Sequence, residues 1–322
     1  MTGTTISHYQ ILDKVGEGAT SVVYRAEDLK LGRIVALKFL NSEVSCSASN
    51  RRRFLHEAEA AAMIVHPNVC PVYGCEEADG HMFLVMAFVE GSSLASLLSS
   101  GPMRLSDALR IGIEVAEALN AAHAMRILHR DIKPGNILIA TDGQVRITDF
   151  GLALLSERTR ITEPGMINGT AAYMSPEQAL TAPVDRRTDV WSLGVVLYEM
   201  IAGVRPFQGP HLQSILASVI GAPLPELTCK EPLPEFLKTV VSKALEKDPE
   251  QRYQFVDDLV VDLRAVLRDL PASSGEKLKF AATAVNDAAN SQMETLIAPF
   301  KSPLQATIQF ISGKLRGGPD RQ

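Results

Sequence analysis

The feature that most constrains this chain of 322 residues is a change of hydrophobic period along it. Tyr9 to Val15, Val22 to Glu27 and Arg33 to Phe39 are rich in β-branched and aromatic residues and are predicted strands. Gly16, Gly18 and Gly32 punctuate them. Arg51 to Met63 switches to Ala, Glu, Arg and Leu, the composition of a helix, and Pro67 stops it. His81 to Phe88 returns to an apolar strand. From Leu94 onward the helical period dominates, with long stretches at Leu105 to Ala124 and Val190 to Ala202 and shorter ones at Phe236 to Ala244 and Val256 to Leu267. A β-rich segment followed by a helix-rich one predicts an α+β chain with two lobes. Their joint is expected near Met86 to Ser93, where a strand ends in a Gly/Ser cluster.

Composition narrows the class. Apolar residues make up 46% and charged residues 21%, enough to bury a real core and unlike a disordered chain, a collagen repeat or a disulfide miniprotein. The net charge of -5 argues against a nucleic-acid binder. Four cysteines (Cys46, Cys70, Cys75, Cys229) are too few and too scattered for a disulfide framework, and they read as reduced structural thiols. MTGTTISHYQ has no basic region followed by an apolar run, so no secretory signal is read. The longest uncharged window, Pro206 to Pro225, contains four prolines and does not suit a membrane helix. The expectation is a cytoplasmic protein without a transmembrane segment.

Several short stretches carry chemistry. Gly16-Glu17-Gly18 lies between two predicted strands, where glycine lets backbone N–H groups close over phosphate oxygens. A strand follows rather than a helix, so this is not a dinucleotide fingerprint. Val35-Ala-Leu-Lys38 ends an apolar strand in a cation, and Glu57 and Glu59 on the next helix are both candidate partners for it. Leu128-His-Arg-Asp-Ile-Lys-Pro-Gly-Asn-Ile-Leu138 offers a proton acceptor in Asp131, a cation in Lys133 and a metal-binding amide in Asn136. Thr148-Asp-Phe-Gly151 follows twelve residues past Asn136, and Asp149 supplies a carboxylate for a hard divalent cation. Together these are the parts for moving a phosphoryl group.

In order and spacing this series resembles the protein kinases, specifically the eukaryotic-like serine/threonine protein kinases found in bacteria. The resemblance covers about residues 9 to 268 and implies a two-lobed protein kinase fold, with a small β-rich N-lobe (9–86), a hinge (87–93) and a larger helical C-lobe (94–268). Residues 1–8 are an N-terminal extension, 269–276 a linker and 277–322 a helical or partly disordered tail. It implies ATP and Mg²⁺ as cofactors, with Mn²⁺ as a substitute. Val15, Gly16, Glu17 and Gly18 resemble the lid on the phosphates, and Ser21 stands where the family usually has a third glycine. Val23 and Ala36 would lie above the adenine and Leu138 below it, with Met86 gating the back pocket. Ala87, Phe88 and Val89 would read the adenine through their backbone, and Ser93 completes that wall. Lys38 resembles the lysine that holds the α- and β-phosphates, with Glu57 as its partner. Asp131 resembles the catalytic base, Lys133 the γ-phosphate contact, and Asn136 and Asp149 the metal ligands. Lys133, two positions after Asp131, is the serine/threonine signature. Gly169 to Glu177 resembles the substrate-docking loop, in which Thr170 should bond near Asp131 and Lys133, and Ser175 replaces the family's usual alanine. Glu177 with Arg252 resembles a buried ion pair and Asp189 a brace under the catalytic loop, while His129 is a scaffold residue.

Arg130 before Asp131 implies control by phosphorylation of the activation segment, where added charge pairs with arginine. Thr162, eight positions before Thr170, is the expected main site and Thr159 the second. Arg53 shares a helix face with Glu57, and two readings stay open: contact with that phosphate, or a solvated basic run. The expected partners are proteins phosphorylated on Ser or Thr, with a transient homodimer for phosphorylation in trans. A nucleotide-binding scaffold without activity and a small-molecule kinase are the rival readings.

Overall fold

The structure, a computed structural model, describes residues 1–18, 21–40, 48–150, 170–229 and 232–270, without the side chains of 48–50, 53 and 57. The described residues all fall within one compact unit, Met1–Leu278. The expected tail, Thr159 and Thr162 lie outside the described residues, as do the side chains of Glu57 and Arg53.

The first lobe is a six-stranded antiparallel sheet. Its strands are β1 (Thr5–Ile6), β2 (Tyr9–Glu17), β3 (Ser21–Asp28), β4 (Arg33–Leu40), β5 (Val72–Ala78) and β6 (His81–Ala87), in the order β1-β2-β3-β4-β6-β5. Helix α1 (Ala48–Met63) packs against β5. β4 is buried along nearly its whole length because both of its faces are covered, so it reads as an apolar run rather than an alternation. Val35, Leu37 and Phe39 join Ile11, Phe83 and Val85 in one cluster. Leu40, Leu84 and Met82 meet Phe54 and Ala58 of α1 in another. Ala36 turns instead toward Cys70 and Met86, beside the cleft. The register of β2 against β3 shifts between Lys14 and Gly16, which bends the ribbon where it overhangs that cleft.

The second lobe opens with a three-stranded sheet of β7 (Gly91–Ser93), β8 (Ile137–Ala140) and β9 (Val145–Ile147). The helices are α2 (Leu94–Leu98), α3 (Leu105–Ala124), α4 (Pro176–Ala179), α5 (Arg187–Ala202), α6 (Leu212–Gly221), α7 (Glu235–Ala244) and α8 (Val256–Asp269). α5 is buried almost all round, and α3 and α7 pack against it. It ends at Gly203, whose φ of 74° is the left-handed conformation of a helix C-cap. The lobes are tied at Asn68, whose amide donates to Glu114 of α3 at 2.9 Å and to the Val145 carbonyl at 2.9 Å.

Sequence period missed β1, β5, the three short strands β7 to β9 and helix α6. The short strands hold three or four residues each, too few to show a period. α6 is a short uncharged stretch between prolines, broken by Gln213, Ser214 and Ser218, and it buries only Ile215 and Val219. Cys70 and Cys75 are free thiols, and Cys46 lies outside the described residues. No helix among the described residues is long and apolar enough to cross a membrane.

Gly91 opposes Ala140 in the small sheet, and a Cβ there would stand 2.0 Å from the Ile139 carbonyl oxygen. Gly91→Ala should therefore force the β7–β8 pair apart and cost about 1–3 kcal/mol, the usual size of an overpacking penalty. Chemical denaturation of the two proteins checks this.

Candidate active site

A cavity of about 550 Å³ opens at the junction of the two sheets. That falls within the roughly 300–1,000 Å³ typical of small-ligand sites. Val15, Val23 and Ala36 form one wall and Leu138 part of the other, with Met86 to Val89 along the edge. The walls are apolar and the inner end is polar, where Lys38, Thr148 and Asp149 meet. Above it, a Cβ built on Gly16 or Gly18 would have no protein atom closer than 3.9 and 3.7 Å. The protein itself does not require glycine there, so that space is left for a ligand.

Lys38 lies in the middle of β4 and is 6% exposed. Its Nζ is 2.6 Å from Asp149 Oδ1. Asp149 has a φ of 68°, which swings its carboxylate toward the cavity. The pairing expected for Lys38 was Glu57. The Glu57 side chain lies outside the described residues, and among the described residues Lys38 pairs with Asp149.

The second cluster sits in the loop before β8. Lys133 Nζ donates to Asp131 Oδ2 at 2.7 Å. The Asn136 amide donates to the Asp131 carbonyl at 2.8 Å and to Asp131 Oδ2 at 3.1 Å. This orientation leaves the Asn136 side-chain oxygen as a metal-binding donor. The Asn136 carbonyl accepts from Thr148 N–H at 2.9 Å, which sets Asp149 next to this cluster.

Both clusters hang on Asp189, fully buried in the first turn of α5. Its carboxylate accepts from His129 N–H at 2.9 Å, Arg130 N–H at 2.7 Å and His123 Nε2 at 2.8 Å. Burial alone would raise its pKa, but the His123 hydrogen bond and the nearby donors win and hold the carboxyl below the usual range. Arg130 has a φ of 64°, a strained turn that the two backbone bonds to Asp189 maintain. Burial pushes the His129 imidazole below its ordinary pKa, so it is neutral. Its Nδ1 accepts from Asp131 N–H at 3.3 Å and its Nε2–H donates to the Thr148 carbonyl at 2.9 Å. Both ring nitrogens are engaged in holding the two aspartate segments, which leaves the ring no role as a base.

Thr170 caps the turn Ala171–Tyr173 that leads into α4. Ser175, where the family usually has alanine, is the N-cap of α4 in a reciprocal capping box with Gln178. The Gln178 side chain then donates to the Arg130 carbonyl at 2.9 Å. Glu177 accepts a two-pronged bond from Arg252, at 2.7 and 2.8 Å, and a third from Thr188 at 2.7 Å. Burial would raise the Glu177 pKa, but Arg252 overrides it and keeps the group ionised. Arg252 also donates to the carbonyls of Glu246, Arg187 and Lys247.

The cavity lining takes in Val15, Gly16, Val23, Ala36, Lys38, Met86, Ala87, Phe88, Val89, Ser93 and Leu138 of the expected set. Glu17 and Gly18 fall outside it: Glu17 pairs with Lys14, and Gly18 N–H closes the β2–β3 turn onto Ser21 O at 2.8 Å. Sequence reasoning missed Cys70, Gly91, Gly135 and Thr148. Cys70 comes from the loop before β5 and donates its thiol to the Ala87 carbonyl at 3.4 Å, and burial pushes its pKa up to about 12. No spacing rule links it to the other lining residues. Gly135 and Thr148 were within reach, since each neighbours a residue already singled out.

The donor set fits a nucleotide with Mg²⁺. Asp149 and Asn136 offer hard oxygen ligands, and among the described residues no group of three or more acidic, His or Cys side chains is placed to hold a metal ion by itself. Mg²⁺ takes one or two protein oxygens and fills its remaining positions with phosphate oxygens and water, which suits two ligands at the polar end of an apolar cleft.

Arg252→Ala should leave Glu177 charged and buried, costing about 3–5 kcal/mol of stability. Denaturant unfolding of the variant beside wild type measures it.

Residues 9–260 match the protein kinase domain family. A probable serine/threonine-protein kinase of Clostridium perfringens is 40% identical over 265 residues, 82% of this chain and 39% of that protein. Serine/threonine-protein kinase PrkC of Bacillus subtilis is 37% identical over 258 residues, 80% and 40% of the two chains. Serine/threonine-protein kinase PknB of Mycobacterium tuberculosis is 37% identical over 287 residues, 85% and 46%. The chain thus spans less than half the length of these relatives. The crystal structure of the Mycobacterium tuberculosis PknI kinase domain is similar in fold, with a TM-score of 0.62 and 26% identity over 82% of this chain and 98% of that one. Motif order, site geometry and these similarities agree, and the chain belongs to the protein kinase domain family.

Proposed function

We propose that this chain transfers the γ-phosphoryl group of ATP to serine or threonine hydroxyls of proteins. The observation that carries the reading is the meeting of an apolar cleft, ended by Lys38 and Asp149, with the Asp131–Lys133–Asn136 cluster. Bound ATP supplies the phosphoryl group, and Mg²⁺ spreads the charge of its oxygens. Asp131 orients the acceptor hydroxyl and takes up its proton at the carboxylate. Lys133 stays hydrogen-bonded to that carboxylate and presents a cation beside the reacting oxygens. With nucleotide bound, Lys38 would bond phosphate oxygens in place of Asp149, and Asp149 and Asn136 would be the residues that hold the metal. The rate gain comes mostly from positioning and electrostatics. The turn Ala171–Tyr173 and α4 suit a protein acceptor rather than a small molecule.

The same reading extends to control. Arg130 Nε is buried with no hydrogen-bond partner among the described residues, a ready contact for phosphate on Thr162 or, second, Thr159. Phosphorylation in trans within a transient homodimer would deliver it. The location is the cytoplasm, where ATP is supplied.

Labelled ATP with Mg²⁺ tests this, with phosphate mapped by mass spectrometry. Wild type should label Thr162 and a basic test protein, while Lys38→Met and Asp131→Asn fall by at least about a hundredfold. Thr162→Ala should lose both the Thr162 phosphate and most of the activity. Equal incorporation in wild type and Asp131→Asn would refute the reading.

A further inference from the structure

Lys247 has a place in the fold that the proposed chemistry does not use. Its Nζ donates to the carbonyls of Val219 at 2.7 Å and Ser218 at 3.3 Å, at the C-terminal end of α6. The ammonium sits 3.6 Å from the centre of the Phe207 ring and 4.9 Å from that of Trp191. Those two rings stack at 5.4 Å, and Trp191 belongs to α5. α6 carries no charged side chain of its own, and this cation answers the partial negative charge at that helix end. Burial and the Arg252 charge push the Lys247 pKa down to about 8, which leaves the cation in place at neutral pH.

The contacts continue in both directions. The Lys247 carbonyl accepts from Arg252 at 3.0 Å, and Arg252 grips Glu177 of α4. α6 packs against α4 and against the turn Ala171–Tyr173. One side chain therefore joins α6 to α5 through its head, and to the Glu177–Arg252 pair through its backbone. The face that results lies beside Thr170, where an acceptor chain would have to be presented to Asp131.

We propose that Lys247 is a positioning residue for the protein acceptor: it clamps the end of α6 and so fixes the platform beside Thr170 to Glu177. This rests on the kinase reading above. The clamp acts on the acceptor side, because Lys247 is not among the residues that line the nucleotide cavity.

The test compares the full chain as wild type, Lys247→Met and Lys247→Arg, with myelin basic protein as acceptor. Methionine keeps the length of the stem and removes the donor, whereas arginine keeps donor and cation. Lys247→Met should raise the KM for the acceptor about tenfold, the scale of a lost charge-assisted hydrogen bond. Its KM for ATP should stay within about twofold of wild type, and Lys247→Arg should restore the acceptor KM. Hydrogen exchange of the amides at 218–222 should quicken in Lys247→Met and return toward wild type in Lys247→Arg. An unchanged acceptor KM, an ATP KM that rises in step with it, or unchanged exchange at 218–222 would overturn the proposal. Wild type that labels no acceptor would refute the kinase reading instead, and the exchange result would still decide whether the clamp exists.

Discussion

A single buried carboxylate organises the chemistry of this molecule. Asp189 is fully buried, yet it stays ionised because two backbone N–H groups and one imidazole converge on it. An uncompensated charge at that depth would cost several kcal/mol, so the bonds are obligatory. They fix the backbone of His129 and Arg130, including the left-handed turn at Arg130. From there the neutral His129 ring reaches Asp131 N–H on one side and the Thr148 carbonyl on the other. The two aspartates of the site thus take their positions from a third that never meets the ligand.

The arrangement separates two electrostatic tasks. At the end of the cleft Lys38 and Asp149 satisfy each other. In the loop before β8, Lys133 and Asn136 both bond Asp131, which fixes its carboxylate and leaves it acceptor capacity for an incoming hydroxyl. Behind the acceptor side, the Glu177–Arg252 pair and the capped helix α4 hold the segment that follows Thr170. Gln178 links that segment back to the Arg130 carbonyl, so the acceptor platform and the catalytic loop share one hydrogen-bond network.

Much of this was legible before any coordinates. The elements around the motifs were readable because α3 is long enough to show its period and β4 and α5 are apolar runs of telling length and composition, while the motif residues stand at fixed offsets in the chain. What sequence left dark has physical reasons. Cys70 enters the cavity from the loop before β5 and Gly91 from β7, and only the pairing of distant segments brings them there. β7 to β9 are held by neighbours rather than by propensity. Ser175 looked like a mild departure from the family pattern, and its value as a helix cap shows only with Gln178 beside it. The Lys38–Asp149 pair was not read from the sequence, because only the fold brings Asp149 from the segment after β9 to the inner end of the cleft.

The most direct test of the central claim is to replace Asp189 by Asn and measure phosphoryl transfer and ATP affinity on the same protein. The amide keeps the shape but removes the charge, and it offers one acceptor oxygen where the carboxylate offered two. ATP affinity should stay within about threefold of wild type, because Asp189 lines no part of the cleft. The turnover rate should fall by at least about a hundredfold, the scale of a misplaced catalytic group. A variant that binds ATP normally and turns over at close to the wild-type rate would contradict the account.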